Sequence, residues 1–193
     1  MKSVDYEKIA FEAAQYFLSD KESYIVRHPQ LAQYCNATLL KMLHKLQAVF
    51  AEKHMQNPGT YINFGTGGGF LEFERPDIDT VEHTDRLDHF SPVRNSLKIK
   101  TPERMTSIVR EEWSTTISKR YDYATCIRFS PVEFAQNDEE LNIYLDRIFT
   151  VADNIIIQNF PQVNQPYLWI EKYIIEDGKT RVFQISKNNF FYK

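Results

Sequence analysis

Cysteine is almost missing from this 193-residue chain, which has only Cys35 and Cys126. One pair so far apart in sequence is a poor disulfide framework, so a reducing, intracellular and cytoplasmic setting is the simpler expectation. Long apolar runs are missing too, and none could span a bilayer, so no membrane partner is expected. The opening stretch "MKSVDYEKIAFEAAQYFLSD" carries acids through its apolar part, which argues against a signal peptide. An excess of basic residues is also lacking: 23 Lys and Arg stand against 26 Asp and Glu, for a net charge of −3. That balance speaks against a protein built mainly to grip nucleic acid. Glycine is scarce, with six in all, yet four of them fall between Gly65 and Gly69.

What is present is the composition of a globular protein: 42% apolar, 25% charged and 14% aromatic, so Phe and Tyr should supply much of the core. The length suits one domain with its own interior. Charge is uneven along the chain. Seven acids between Glu72 and Asp88 face only Arg75 and Arg86, whereas seven bases between Arg94 and Arg120 face Glu103, Glu111 and Glu112. The basic stretch could steer an anionic substrate, but a solvated helix face explains it more simply.

Residues 1–56 read as a helical N-terminal cap. Tyr6, Ile9, Ala10, Ala13, Ala14 and Phe17 recur at helical spacing, and a second stripe runs from Leu31 to Phe50. "NPG" at Asn57–Gly59 then supplies turn chemistry. From residue 60 to 193 strand-like runs follow: Thr60–Phe64, Ile78–His83, Ser96–Lys100, Tyr121–Phe129, Asp153–Phe160, Tyr167–Ile175 and Thr180–Ser186. Helices are expected at Pro102–Ile117, with Thr101 as N-cap, and at Asp138–Val151. "EDGK" at Glu176–Lys179 reads as the turn of a closing hairpin. Strands alternating with helices imply a parallel sheet covered on both faces. The expected fold is a single α/β domain over residues 1–193: a doubly wound, mainly parallel seven-stranded sheet with a C-terminal antiparallel hairpin.

A glycine-rich turn straight after the first strand of such a sheet lets a ligand approach the backbone closely. Gly65-x-Gly67-x-Gly69 fits part of a nucleotide-type fingerprint, though it is no P-loop, because no Gly-Lys-Ser/Thr follows. Alone the match is weak, since a tight turn that binds nothing reads the same way. "VEHTD" adds an acid, Glu82, at the end of the second strand, seventeen positions after Gly65, where a carboxylate can accept both hydroxyls of a ribose.

"INFGTGGGFLEF…DTVEHTDRLDHF" resembles the class I S-adenosylmethionine-dependent methyltransferases. The motif likeness covers Tyr61–Phe90, and the strand order with its closing hairpin extends it, less specifically, to Lys193. The resemblance implies S-adenosylmethionine as cofactor, with Asn63, Phe64, Gly65, Thr66, Gly67 and Gly69 around its methionine and ribose. It further implies Glu82 on the ribose hydroxyls and His83 beside the adenosine, with Asp85 as runner-up for the ribose acid. Two departures stand out. Asn63 occupies a position where many members carry an acid, and the connection Gly69–Pro76 leaves under two turns for the first crossover helix.

The end of the fourth strand, where such enzymes usually place substrate groups, reads "YDYATCIRFSP". It contains neither Asn-Pro-Pro-Tyr, Asp-Pro-Pro-Tyr nor Pro-Cys, so methylation of base amino groups or covalent attack on cytosine gains no support. Arg128 and Ser130 are the substrate-contact candidates, with Arg128 able to take an anionic group. Cys126 reads as a small core residue and Asp122 as structural. No catalytic residue is assigned. "EHTDRLDH" holds five potential metal ligands, Glu82, His83, Asp85, Asp88 and His89, but no zinc spacing, so no metal is expected. His28, His44 and His54 read as surface or boundary residues.

The expected activity is methyl transfer to a small molecule or an accessible end group. A non-catalytic binding or scaffolding protein on the same fold is the alternative, motivated by Asn63 and the short crossover. A nucleic-acid methyltransferase using the basic stretch around Trp113 is third.

Overall fold

The structure, a computed structural model, describes residues 2–19, 29–83, 87–105, 117–127, 135, 137–159, 174–177 and 180–190. Contacts group the chain into two compact units: Met1–Asn57 with Thr66–Asp77 and Thr84–Pro102, and Pro58–Gly65 with Ile78–His83 and Glu103–Lys193. The first is helical and the second holds the sheet. The helical unit thus extends beyond the N-terminal 56 residues, taking in two stretches of chain that follow β-strands.

In the helical unit, α1 (Tyr6–Leu18) starts at Asp5, whose carboxylate accepts the Lys8 N–H at 3.1 Å. After a 3₁₀ segment at Pro29–Cys35 comes α2 (Ala37–His54), capped by Asn36, whose side chain accepts from Leu39 N at 3.0 Å. Such caps satisfy amides that have no partner within the helix. The short α3 is Phe70–Glu74 and α4 is Leu87–Leu97. Ile9, Ala13 and Phe17, at the expected helical spacing, pack with Leu31, Tyr34, Leu40, Phe70, Val93 and Leu97 in one apolar cluster.

The sheet unit contains β1 (Tyr61–Phe64), β2 (Asp79–His83), β3 (Glu103–Met105), β4 (Tyr121–Ile127), β5 (Ala152–Asn159), β6 (Ile174–Asp177) and β7 (Thr180–Ser186). They form one sheet in the order β3-β2-β1-β4-β5-β7-β6. The first five are parallel neighbours, and β7 runs antiparallel between β5 and β6. The mainly parallel α/β sheet with a C-terminal antiparallel pair is therefore as expected. Ile155, Ile156 and Ile157 are all buried in β5, the continuous apolar run of a strand covered on both sides. α5 (Asp138–Phe149), capped by Asn137 on Glu140 N at 2.9 Å, puts Leu141, Leu145, Ile148 and Phe149 into this unit's core.

Two strands depart from expectation. β6 takes in Glu176 and Asp177, expected in the hairpin turn, and pairs them with Arg181 and Thr180; residues 167–173 of the expected run lie outside the described residues. The third strand lies elsewhere. Residues 96–100 form no strand, because α4 runs to Leu97 and ends in a Schellman motif. Lys98 takes φ +54°, its N–H donates to Asn95 O at 3.1 Å, and the Ile99 N–H donates to Arg94 O at 3.4 Å. The apparent alternation of "SLKIK" is a helix end whose Leu97 and Ile99 pack in the apolar cluster. The third strand is instead Glu103–Met105, where a helix was expected to begin; residues 106–116 of that helix lie outside the described residues. No described helix is long and apolar enough to cross a membrane.

Candidate functional site

The sheet unit carries the strand ends. β1 and β2 pair in parallel with Asn63 opposite Thr80 and Phe64 opposite Val81. The ladder runs one residue further, as the Gly65 N–H donates to Val81 O at 3.0 Å. Gly65, at φ +70°, therefore leaves β1 level with the residue that precedes Glu82, in a conformation side chains rarely adopt. Glu82 is only 4% exposed. A carboxylate so placed needs hydrogen-bond donors around it. His83 closes β2 in register with Met105, and its side chain lies outside the described residues.

Asn63 is buried and sits in register with Thr125 of β4, whose hydroxyl donates to Asn63 Oδ1 at 2.9 Å. Two buried neutral groups satisfy one another here, where a carboxylate would have to be held with little solvent. Phe64 is fully buried in the sheet's core, so only its backbone is available to a ligand. Cys126 is likewise fully buried, and burial pushes its thiol well above the ordinary range, which removes it as a nucleophile. Asp122 is structural, as expected: its Oδ2 accepts from Thr60 N at 2.7 Å and Thr60 Oγ1 at 2.9 Å, which holds its carboxyl below the usual range.

The helical unit carries the rest of the glycine turn. Gly69 N–H donates to Thr66 O at 3.0 Å, and Gly69 caps α3 at φ +82°. A Cβ at Gly69 would lie 2.0 Å from Ile99 Cδ1 and 2.8 Å from Arg94 Nη1; one at Gly68 would lie 2.9 Å from Tyr34 Cε1. Side chains at these two positions would collide with protein before meeting any ligand. α3 has five residues, the short first crossover read from the sequence.

Beneath the turn lies a buried polar cluster that sequence reasoning missed. Arg94 Nη1 donates to Thr66 Oγ1 at 2.8 Å and to Glu72 Oε1 at 2.9 Å, and Nη2 donates to Lys100 O at 2.6 Å. Arg94 heads the basic stretch expected as a solvated face, yet it is only 5% exposed. Its partners are 22 and 28 residues away in sequence, and no local pattern links them. A second cluster corrects the expectation for His44, which is completely buried rather than at the surface. Its Nε2 lies 2.7 Å from Glu74 Oε1 and its Nδ1 2.9 Å from Tyr6 Oη, while its ring stacks on Phe70 at 5.0 Å. A neutral imidazole fits this set, with Tyr6 O–H donating to Nδ1 and Nε2–H donating to the carboxylate. Asp85, Arg128, Ser130 and His28 lie outside the described residues.

A mainly parallel sheet with an antiparallel β7 inserted between β5 and β6 defines the class I methyltransferase, Rossmann-like fold, and solved structures agree. An rRNA methylase from Escherichia coli matches at TM-score 0.55 and 12% identity, over 96% of this chain and 78% of that one. The N-methyltransferase NodS from Bradyrhizobium japonicum WM9 matches at TM-score 0.51 and 6% identity, over 76% of this chain and 94% of that one. At such identities the likeness is one of fold. No protein-family model matches the chain, and no curated protein matches its sequence.

Proposed function

We propose that this protein is an S-adenosylmethionine-dependent methyltransferase acting on a small molecule or an accessible end group, with the chain working as one methyltransferase-like domain. The observation that carries the reading is the Gly65 N–H bond to Val81 O, which sets the start of the glycine turn beside the buried Glu82. Both features stand at the carboxyl ends of neighbouring parallel strands, where ligands of open α/β sheets collect. The donor set suits the cofactor: the Glu82 carboxylate accepts from the ribose hydroxyls, and the backbone of Gly65 lies against the amino-acid portion. When bound, that group supplies an electrophilic methyl on a sulfonium. The chain's own contribution is then to orient the acceptor and exclude water, since proximity and alignment lower most of such a barrier. Arg128 and Ser130 remain the proposed acceptor contacts, and Arg128 suits an anionic one.

Isothermal titration with S-adenosylmethionine and S-adenosylhomocysteine tests the reading. Saturable binding between about 1 μM and 1 mM, the usual range of Michaelis constants, supports it. Absence of heat at millimolar ligand refutes it.

A second reading, a non-catalytic binding or scaffolding protein, is favoured by one observation: Asn63 Oδ1 is engaged by Thr125, in a position where an acid is common in the resembled family. Binding of both ligands with no turnover against broad acceptor panels supports it. Methyl transfer to any acceptor rules it out.

A further inference from the structure

We propose that Arg94 is a positioning residue for the glycine turn, holding Thr66–Gly69 in the one shape that admits the cofactor; this rests on the cofactor reading above. Its guanidinium ties three separate pieces of chain together: the turn through Thr66 Oγ1 at 2.8 Å, α3 through Glu72 Oε1 at 2.9 Å, and the segment after α4 through Lys100 O at 2.6 Å. A planar fork can make these bonds at once, which an ammonium on a flexible stem cannot match. The glycine and the arginine also account for one another, because a side chain at Gly69 would have to enter space that Nη1 occupies.

Stability alone does not explain the arrangement. A buried ion pair is commonly no better than apolar residues of the same volume. Among the described residues, the buried Arg94 Nε moreover has no hydrogen-bond partner, a cost that an apolar side chain would not carry. What apolar packing could not supply is a directed donor on Thr66, the first residue of the turn after Gly65. Holding that hydroxyl fixes the peptide planes that follow, including the Gly69 N–H on Thr66 O.

The test compares Thr66→Ser, Thr66→Val, Arg94→Lys and the double variant E72L/R94M with the unaltered chain. S-adenosylhomocysteine affinity is read by titration, folding by thermal melting, and the turn by amide hydrogen exchange. Thr66→Ser keeps the hydroxyl that Arg94 holds, so its amide exchange at Gly67–Gly69 should match that of the unaltered chain. Thr66→Val, Arg94→Lys and E72L/R94M should each bind about tenfold or more weakly, the worth of a charge-assisted bond. E72L/R94M should still melt cooperatively at the unaltered temperature or above, with faster exchange at Gly67–Gly69. Tight binding by both Thr66→Val and E72L/R94M would overturn the proposal while leaving the cofactor reading intact. Failure of the unaltered chain to bind would remove the cofactor reading, and the proposal with it. If E72L/R94M does not fold, Arg94→Lys and the amide exchange of the Thr66→Ser and Thr66→Val pair decide.

Discussion

The two units differ in where their ion pairs lie. Among the described residues, those of the sheet unit sit at its rim: Lys119 meets Asp79 with side chains 55% and 35% exposed, and Arg120 meets Asp153 with 51% and 56%. The helical unit has rim pairs as well, Lys8 with Glu12 and Arg75 with Asp77, but adds two buried ones: Arg94 with Glu72, each 6% exposed, and His44, fully enclosed against Glu74. Rim pairs are screened by water and salt and contribute little; buried ones are costly to break and strict in geometry. The sheet unit should therefore owe its stability to packing. The helical unit should depend on particular partners and on pH.

The strongest way to break this contrast is Arg94→Met, which leaves the Glu72 carboxylate without its buried counter-charge. It should cost about 3–5 kcal/mol in urea unfolding, and adding Glu72→Leu should recover most of that. If the single substitution costs no more than a rim charge, the two units do not differ as described.

Next is His44. Burial depresses its pKa below the ordinary 6.5, and its bond to Glu74 only partly offsets this. The folded state therefore favours the neutral ring, so stability is complete above about pH 6.5 and declines as pH falls below it. Glu74, held below 4.5 by the Lys2 N–H and by His44, adds a loss of the same sign at more acidic pH. His44→Phe keeps the stack on Phe70 but removes the His44 partner of Tyr6 and Glu74, leaving Glu74 its bond from Lys2 N, so it should cost about 1–3 kcal/mol at pH 7. It should also flatten the loss between pH 7 and 5. His89, likewise depressed by burial, keeps the slope from vanishing. An unchanged slope in chemical denaturation across that range would remove His44 as the acid-sensitive group.

The smallest effect is expected at the rim. Lys119→Ala breaks an exposed pair with Asp79, to which Tyr121 Oη still donates at 2.9 Å. Its cost should stay within about 1 kcal/mol and shrink further in 0.5 M salt, where the Debye length is only about 4 Å. A larger loss would mean that the sheet unit leans on its charges after all.

The same contrast decides what the sequence made legible. The sheet unit's strands are short runs of β-branched and aromatic residues, and five of the expected runs, β1, β2, β4, β5 and β7, lie where their patterns put them. α5 follows the spacing of Leu141, Tyr144, Leu145, Ile148 and Phe149. The third strand was misread because a helix end with Lys98 at φ +54° alternates like a strand over "SLKIK". The extent of α4 was not legible because its "LDHFSPVRNSL" carries Pro92 in its interior and few apolar residues. The buried clusters of the helical unit were invisible for a different reason. Arg94 finds Glu72 and Thr66, and His44 finds Glu74, only through tertiary packing, and nothing in their neighbouring residues marks them as buried. At the candidate site, the place of Glu82 near the end of the second strand was legible, and its burial was not. Asn63 was noticed as a departure, but its partner Thr125 came only from the β1–β4 register.

The measurement that tests the central claim most directly is titration of the unaltered chain and Glu82→Ala with S-adenosylhomocysteine, with thermal melting to check that both fold. The account predicts saturable binding by the unaltered chain and a loss of about tenfold or more in Glu82→Ala, because a buried carboxylate that accepts the ribose hydroxyls is removed. No binding by the unaltered chain at millimolar ligand, or equal affinity in the folded variant, would contradict it.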